Sequence, residues 1–177
     1  MSRQIIPLRL PEYLATYFGN RMAALPEILR NGSFEDPFLV SAQTEYGEYI
    51  LKNLSTANRP YSYDKKDHFF ISISNYAGDH NADTVRGHRN FMKLSKAAVK
   101  DIETKFNAIF RNQLITFVRG AESVTYSNSE NKRVRTRAIR LFCEENHVLY
   151  SDKNLVAWKK MCQRHKKSDK VLIYNIL

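Results

Sequence analysis

Apolar residues that recur every three or four positions predict that most of this chain is helical. The longest stretch with this period, Phe91 to Val118, contains neither Gly nor Pro. It predicts a central helix of roughly 40 Å that ends near Gly120. Shorter helical patterns cover residues 12–18, 23–30 and 39–54. The chain is therefore expected to have a helical N-terminal part followed by one long helix.

Two short segments have the composition of β-strands. Residues 68–74 are aromatic and β-branched and end in a period-two alternation. Residues 4–9 also alternate, but they contain Pro7, which lacks a backbone N–H and is typical of an edge strand. The apolar tail, residues 171–177, is expected to dock beside residues 68–74. Together with the helices, these segments predict a mainly α fold with a small β element, of α+β type.

Beyond the long helix the sequence predicts a helix-turn-helix-like pair. Its members are residues 133–146 and 152–167, joined by a short link. Ser151 or Asp152 is expected to cap the second helix, because a side-chain oxygen there accepts a hydrogen bond from a free backbone N–H. This basic pair closes the predicted fold.

The polar segment 55–67 is the clearest internal boundary. It divides the chain into an N-terminal helical region at 1–60, a strand and loop connector at 61–90, and the long helix with the basic pair at 91–177. These parts form either separate regions or one compact domain.

Charge is distributed unevenly along the chain. The 177 residues hold 28 Lys plus Arg against 18 Asp plus Glu, a formal net charge of +10. Residues 132–170 contain twelve of the basic residues and four of the acidic ones, so the rest of the chain carries a net charge of only +2. Localised positive charge is typical of a surface that meets a polyanion. The charged segment coincides with the predicted helix pair.

The helical period separates the basic side chains of the pair from its apolar ones. In the second helix Leu155, Trp158 and Cys162 fall on one side and are expected in the core, which leaves two polar ridges outside. Lys and Arg neutralise phosphates, while Asn, Gln and Arg can read base edges in a major groove. The candidate nucleic-acid-binding residues are Arg133, Arg135, Arg137, Arg140, Asn154, Lys159, Lys160, Gln163, Arg164, Lys166 and Lys167.

Two resemblances to known proteins follow from these segments. Residues 5–14, with the run Ile-Pro-Leu-Arg-Leu-Pro-Glu-Tyr-Leu, resemble the strand and first helix of ribbon-helix-helix repressors. That resemblance implies strands that pair across a dimer and enter the major groove. The C-terminal half is similar in layout to small DNA-binding proteins of prophages and other mobile elements, in which a long helix precedes a basic helix pair. That similarity implies a DNA-binding function and assigns no site residues.

Groups that could carry chemistry are few. Cys143 with His147 and Cys162 with His165 are residue types that bind Zn²⁺. Both cysteines lie at apolar stripes, however, which favours a role as core thiols and predicts no metal site. The loop 79–89 collects Asp, His and Arg, as turns commonly do. A phosphate-binding Gly loop, a dinucleotide-binding motif and a nucleophile elbow are all absent from the sequence, so neither a cofactor nor an enzymatic activity is predicted.

These features predict a cytoplasmic, non-enzymatic DNA-binding protein that binds duplex DNA through the basic pair and serves as a regulatory or accessory protein of a mobile element. The two cysteines fit a reducing compartment, and the lack of a long apolar stretch predicts no membrane partner. Two alternatives remain open. One is an assembly protein whose basic helices meet an acidic protein partner, and the other is a small nuclease or recombination enzyme. The helix 91–118 is a candidate homodimer surface.

Overall fold

The computed structural model describes residues 3–21, 27–28, 34–35, 37–57, 59, 69–74, 91–124 and 131–167. The described chain is mainly α-helical with a small β element, as the sequence predicts. The helices are α1 (Glu12–Arg21), α2 (Glu45–Lys52), α3 (Lys96–Ser123), α4 (Asn131–Glu145) and α5 (Asp152–Lys167). The strands are β1 (Arg3–Leu8), β2 (Glu27–Ile28), β3 (Phe34–Glu35), β4 (Phe38–Leu39), β5 (Leu54–Ala57), β6 (Phe69–Ser74) and β7 (Phe91–Leu94).

Strand β6 is the centre of a three-stranded sheet. β1 lies antiparallel on one side of it, with Ile6 opposite Ile71, and β4 lies parallel on the other side. β1 is thus an edge strand of this sheet, as Pro7 predicts. It pairs within the chain, whereas the resemblance to ribbon-helix-helix repressors implies pairing across a dimer.

The side chain of Gln4 joins β1 to β7. Its Nε2 donates to the carbonyl oxygen of Met92 at 2.9 Å, and its Oε1 accepts from the Met92 N–H at 2.8 Å. The amide therefore pairs with β7 as a backbone peptide would. β7 in turn pairs antiparallel with β5 in a second sheet, and β2 pairs with β3 in a third.

The chain divides into two compact units, residues 1–107 and 108–177, with the boundary inside α3. In the first unit the ring of Phe106 is the central contact. It stacks on Phe18 with ring centroids 4.1 Å apart, and it meets Tyr46 and Phe69 edge to face at 5.7 and 6.1 Å. Such aromatic pairs stabilise a core beyond the area they bury. Burial also raises the pKa of Tyr17 to about 12.

Helix α2 begins at a tight turn. Thr44 caps it, since its Oγ1 accepts from the Gly47 N–H at 3.0 Å. A Cβ atom on Gly47 would lie only 1.8 Å from the carbonyl oxygen of Ser41, so any other residue here would force the backbone to shift. Glycine, which has no Cβ atom, permits this close approach.

Several predicted boundaries differ from the structure. A single helix is expected over 39–54, but the structure has the shorter helix α2 there, between strands β4 and β5. In the segment 23–30, also expected to be helical, Glu27 and Ile28 form strand β2. The long helix starts at Lys96 because residues 91–94 pair with β5 and because Ser95 Oγ accepts from the Ala98 N–H at 3.1 Å. It runs on past Gly120 to Ser123. The tail 171–177 and the loop 79–89 lie outside the described residues.

Candidate nucleic-acid interface

The core of the second unit is built from the C-terminal part of α3 together with α4 and α5. Phe110 of α3 meets Phe142 of α4 and Trp158 of α5, with ring centroids 5.8 and 5.1 Å apart. Phe117 also meets Phe142, at 5.5 Å. Because these rings fix one face of each helix inward, most polar residues of α4 and α5 lie on the opposite faces.

The turn between α4 and α5 has a defined conformation. His147 adopts a positive φ of 50°, and its N–H donates to the carbonyl oxygen of Glu144 at 3.2 Å. The N–H of the buried Val148 donates to the carbonyl oxygen of Cys143 at 2.8 Å. This pair of bonds is a Schellman motif, which satisfies the last carbonyl groups of α4 and redirects the chain.

A reciprocal cap starts α5. Ser151 Oγ accepts from the Asn154 N–H at 3.4 Å, while Asn154 Oδ1 accepts from the Ser151 N–H at 2.9 Å. Asn154 Oδ1 also accepts from the Ser151 hydroxyl at 2.7 Å. The predicted start of α5 is confirmed, with Ser151 as its cap. Asn154 was expected to read a base edge, but its side-chain oxygen is engaged in this cap.

Three arginines form one outward line on α4. Arg133, Arg137 and Arg140 are exposed and lie four and three positions apart, so their side chains stand above one another on the helix surface. The buried Ile139 and Phe142 occupy the opposite side of the helix. These three candidate residues therefore form a single exposed stripe along α4.

Arg135 departs from that stripe. Its guanidinium is buried, and its Nε donates to Glu122 Oε1 of α3 at 2.7 Å. The two side chains retain only 10% and 9% of their exposure. Arg135 lies three and seven positions before the buried Ala138 and Phe142, so it belongs to the core side of α4. Its role in this structure is to hold α3 to α4, in contrast to the predicted contact with nucleic acid.

The outward face of α5 carries a second basic line. Lys153, Lys160 and Arg164 are exposed at positions i, i+7 and i+11, and Gln163 is exposed beside them. Lys159 is half-buried nearer the core side. Lys153 was not among the predicted residues, although its spacing of seven from Lys160 places both on one face. The side chains of Lys166 and Lys167 lie outside the described part of the chain.

Two further arginines of this unit make internal contacts. Arg111 Nε donates to Met161 Sδ at 3.0 Å, and Arg119 Nη2 donates to the carbonyl oxygen of His165. Both bonds run from α3 to α5. The structure therefore separates basic residues that hold helices together from those that lie on the outer faces.

The two Cys/His pairs, Cys143 with His147 and Cys162 with His165, lie within the described residues. Across the described ranges, no three His, Cys, Asp or Glu side chains come together in a way that would hold a metal ion. Cys143 and Cys162 are buried, and burial raises their pKa to about 12 and about 11. His147 lies in the exposed turn, and His165 is half-buried with its carbonyl group bonded to Arg119. The cysteines are core thiols, the interpretation that the sequence favours.

The apolar face of α3 is largely used within the chain. Ala98, Ile102 and Phe106 are buried in the first unit, and Phe110, Leu114 and Val118 are buried in the second. The homodimer expected through this helix remains a prediction, and the residues on which it was based pack inside the two units. In the segments that the structure describes, no helix combines the length and the apolar character needed to cross a membrane.

Comparison with protein-family models, with curated proteins and with solved structures gives no match to this chain. Any functional conclusion therefore depends on the residues themselves.

Proposed function

We propose that this protein binds duplex DNA through the outward faces of α4 and α5, as a regulatory or accessory protein of a mobile element. One observation carries the DNA-binding proposal: six exposed basic side chains form two lines on consecutive helices, each opposite the buried face of its helix. These residues are Arg133, Arg137, Arg140, Lys153, Lys160 and Arg164. Such lines are the electrostatic footprint of a nucleic-acid-binding surface.

The sign of the charge supports this assignment. A helix that is merely solvated normally mixes acidic with basic residues on its outer face. Here the exposed acids of the pair, Glu144, Glu145 and Asp152, are confined to the helix ends around the turn. Asp152 lies in the first turn of α5, where a carboxylate favourably meets the helix dipole. Away from the helix ends, the described charged side chains on both outer faces are all positive.

The length of the basic line on α5 suits a DNA groove. Lys153 and Arg164 are eleven residues apart, which corresponds to roughly 16 Å along a helix. The major groove is about 12 Å wide, so long side chains at the two ends of this line can reach phosphates on both of its walls. The line on α4 then supplies further phosphate contacts.

Fluorescence anisotropy with a labelled random-sequence duplex over a salt series tests this proposal. If the six residues neutralise six phosphates, the plot of log K against log salt has a slope of about −5. The triple variant Lys153→Ala, Lys160→Ala, Arg164→Ala is expected to reduce the slope to about −3. A slope near zero for the wild-type protein would contradict the proposal.

A matched control comes from the first unit. Lys93, Lys96 and Lys100 are exposed, and their replacement by Ala removes the same three charges. We expect this variant to keep the wild-type slope. Equal losses in the two triple variants would show that net charge, and not the faces of α4 and α5, determines the affinity.

Competition with an acidic polypeptide tests whether the natural ligand is DNA or an acidic protein. Polyglutamate added as a competitor is expected to displace the duplex only at charge concentrations far above that of the DNA. Displacement at equal or lower charge concentration would favour the assembly-protein alternative.

A further inference from the structure

The middle of the basic line on α5 is apolar. Val156 retains 50% of its exposure, and Ala157 beside it is exposed as well. Val156 lies three positions after Lys153 and four before Lys160, and Ala157 lies four after the first and three before the second. Residues at these spacings share one helix face. Two short apolar side chains therefore stand between two lysines on the exposed face of α5.

Neither the core nor helix propensity explains Val156. The residue keeps half of its exposure, so it gains only part of the free energy that full burial would give. A β-branched residue also has a lower helix propensity than the Lys and Ala residues that share its face. The residue is more readily explained by a partner that meets this face.

The shape of the face fits the floor of a major groove. A helix that enters the groove needs short side chains where it comes closest to the base edges and long cations where it passes the phosphates. The C5 methyl of thymine is the apolar group that a base pair presents there, and small apolar side chains recognise it by contact. We infer that Val156 and Ala157 contact thymine methyl groups while Lys153 and Lys160 hold the flanking phosphates. This inference rests on the proposed DNA binding and adds a base preference to it.

Replacing thymine by uracil tests this inference, because the substitution removes only the methyl group. An alternating adenine–thymine duplex offers a methyl group at every step, so the binding register need not be known. We expect the Kd of the wild-type protein to rise about fourfold for each methyl contacted when uracil replaces thymine. Val156→Ser is expected to lose most of this preference, and Val156→Thr, which keeps one γ-methyl group, to retain part of it.

The control makes the same substitution at another exposed valine. Val124 follows α3 and retains 76% of its exposure, so Val124→Ser is expected to keep the full preference for thymine. Equal affinity of the wild-type protein for the two duplexes would overturn the inference and leave the proposed DNA binding standing. A preference that persists in Val156→Ser would overturn the assignment to Val156. Failure to bind either duplex at low salt would overturn the proposed function together with this inference.

Discussion

The two units of this protein contain the same number of basic residues, yet their net charges differ fourfold. Residues 1–107 hold 14 Lys plus Arg against 12 Asp plus Glu, whereas residues 108–177 hold 14 against 6. The net charges are +2 and +8. A scarcity of acids, and not an abundance of bases, therefore distinguishes the second unit. The candidate surface arises where that scarcity coincides with the outer faces of two helices.

Polar side chains complete the fold in both units, but α4 also carries an exposed line of arginines. In the first unit the Gln4 amide joins two strands, Thr44 caps a helix, and the Tyr49 hydroxyl donates to Asp101 at 3.2 Å. These groups complete the fold. In the second unit Ser151 and Asn154 cap α5 and Arg135 pairs with Glu122. The arginines of α4 at 133, 137 and 140, in contrast, are exposed. Arg135 is the one arginine of α4 that is buried. Its substitution is expected to have the largest effect on stability of the variants considered.

Removing the buried guanidinium of Arg135 should strongly destabilise the second unit. Arg135→Met leaves the Glu122 carboxylate buried without its partner, and we expect a loss of about 3 kcal/mol in the free energy of unfolding by urea. The double variant Arg135→Met, Glu122→Leu should recover much of this loss. Under conditions in which the variant is folded, its salt slope for DNA should equal that of the wild type. A slope lowered by about one unit would instead mean that Arg135 contacts a phosphate.

Two glycines, one in each unit, differ in the space that surrounds them. Gly47→Ala places a Cβ against the Ser41 backbone, so we expect it to reduce the free energy of unfolding by about 2 to 3 kcal/mol. Gly120→Ala is the matched control in the second unit. Nothing lies within 4 Å of the added Cβ there, and Ala favours a helix, so a gain of about 1 kcal/mol is expected. Equal effects of the two substitutions would contradict the difference in packing.

Substitutions of the two capping residues are expected to have the smallest effects on stability. Ser151→Ala removes the acceptor at the start of α5, and Thr44→Ala removes the one at the start of α2. We expect each to cost about 1 kcal/mol in urea unfolding. Because Ser151 positions the first turn of α5, its variant should also weaken DNA binding, whereas the Thr44 variant should not. If the Thr44 variant also lost affinity for DNA, the assignment of DNA binding to the α5 face would be contradicted.

Periodicity predicted the elements whose stability is local. The amphipathic patterns of α4 and α5 place these helices within two residues of their observed bounds. Strands β5 and β7 were missed because each is short and is stabilised by pairing with a partner more than thirty residues away. Ser95 did carry a local signal for the start of α3, since serine is a favoured cap.

The candidate site was predicted as a region more accurately than as a set of side chains. The charge count locates the basic pair, but it does not reveal the structural roles of Arg135 and Asn154. Those roles depend on partner residues that charge alone does not identify. Glu122 lies on another helix, and Ser151 competes with any base edge for the Asn154 amide. Lys153 was omitted although its spacing indicates the right face. The angular position of each residue around its helix is the information that the charge count lacked.

Residue-resolved acetylation of the wild-type protein, with and without duplex DNA, tests the central claim most directly. Lysines are modified with an activated ester and quantified by mass spectrometry, so both units are compared in one sample. We predict that the duplex protects Lys153 and Lys160 and leaves Lys93, Lys96 and Lys100 as reactive as in the free protein. Equal protection of both groups, or protection of the first unit alone, would contradict the assignment of DNA binding to the outward faces of α4 and α5.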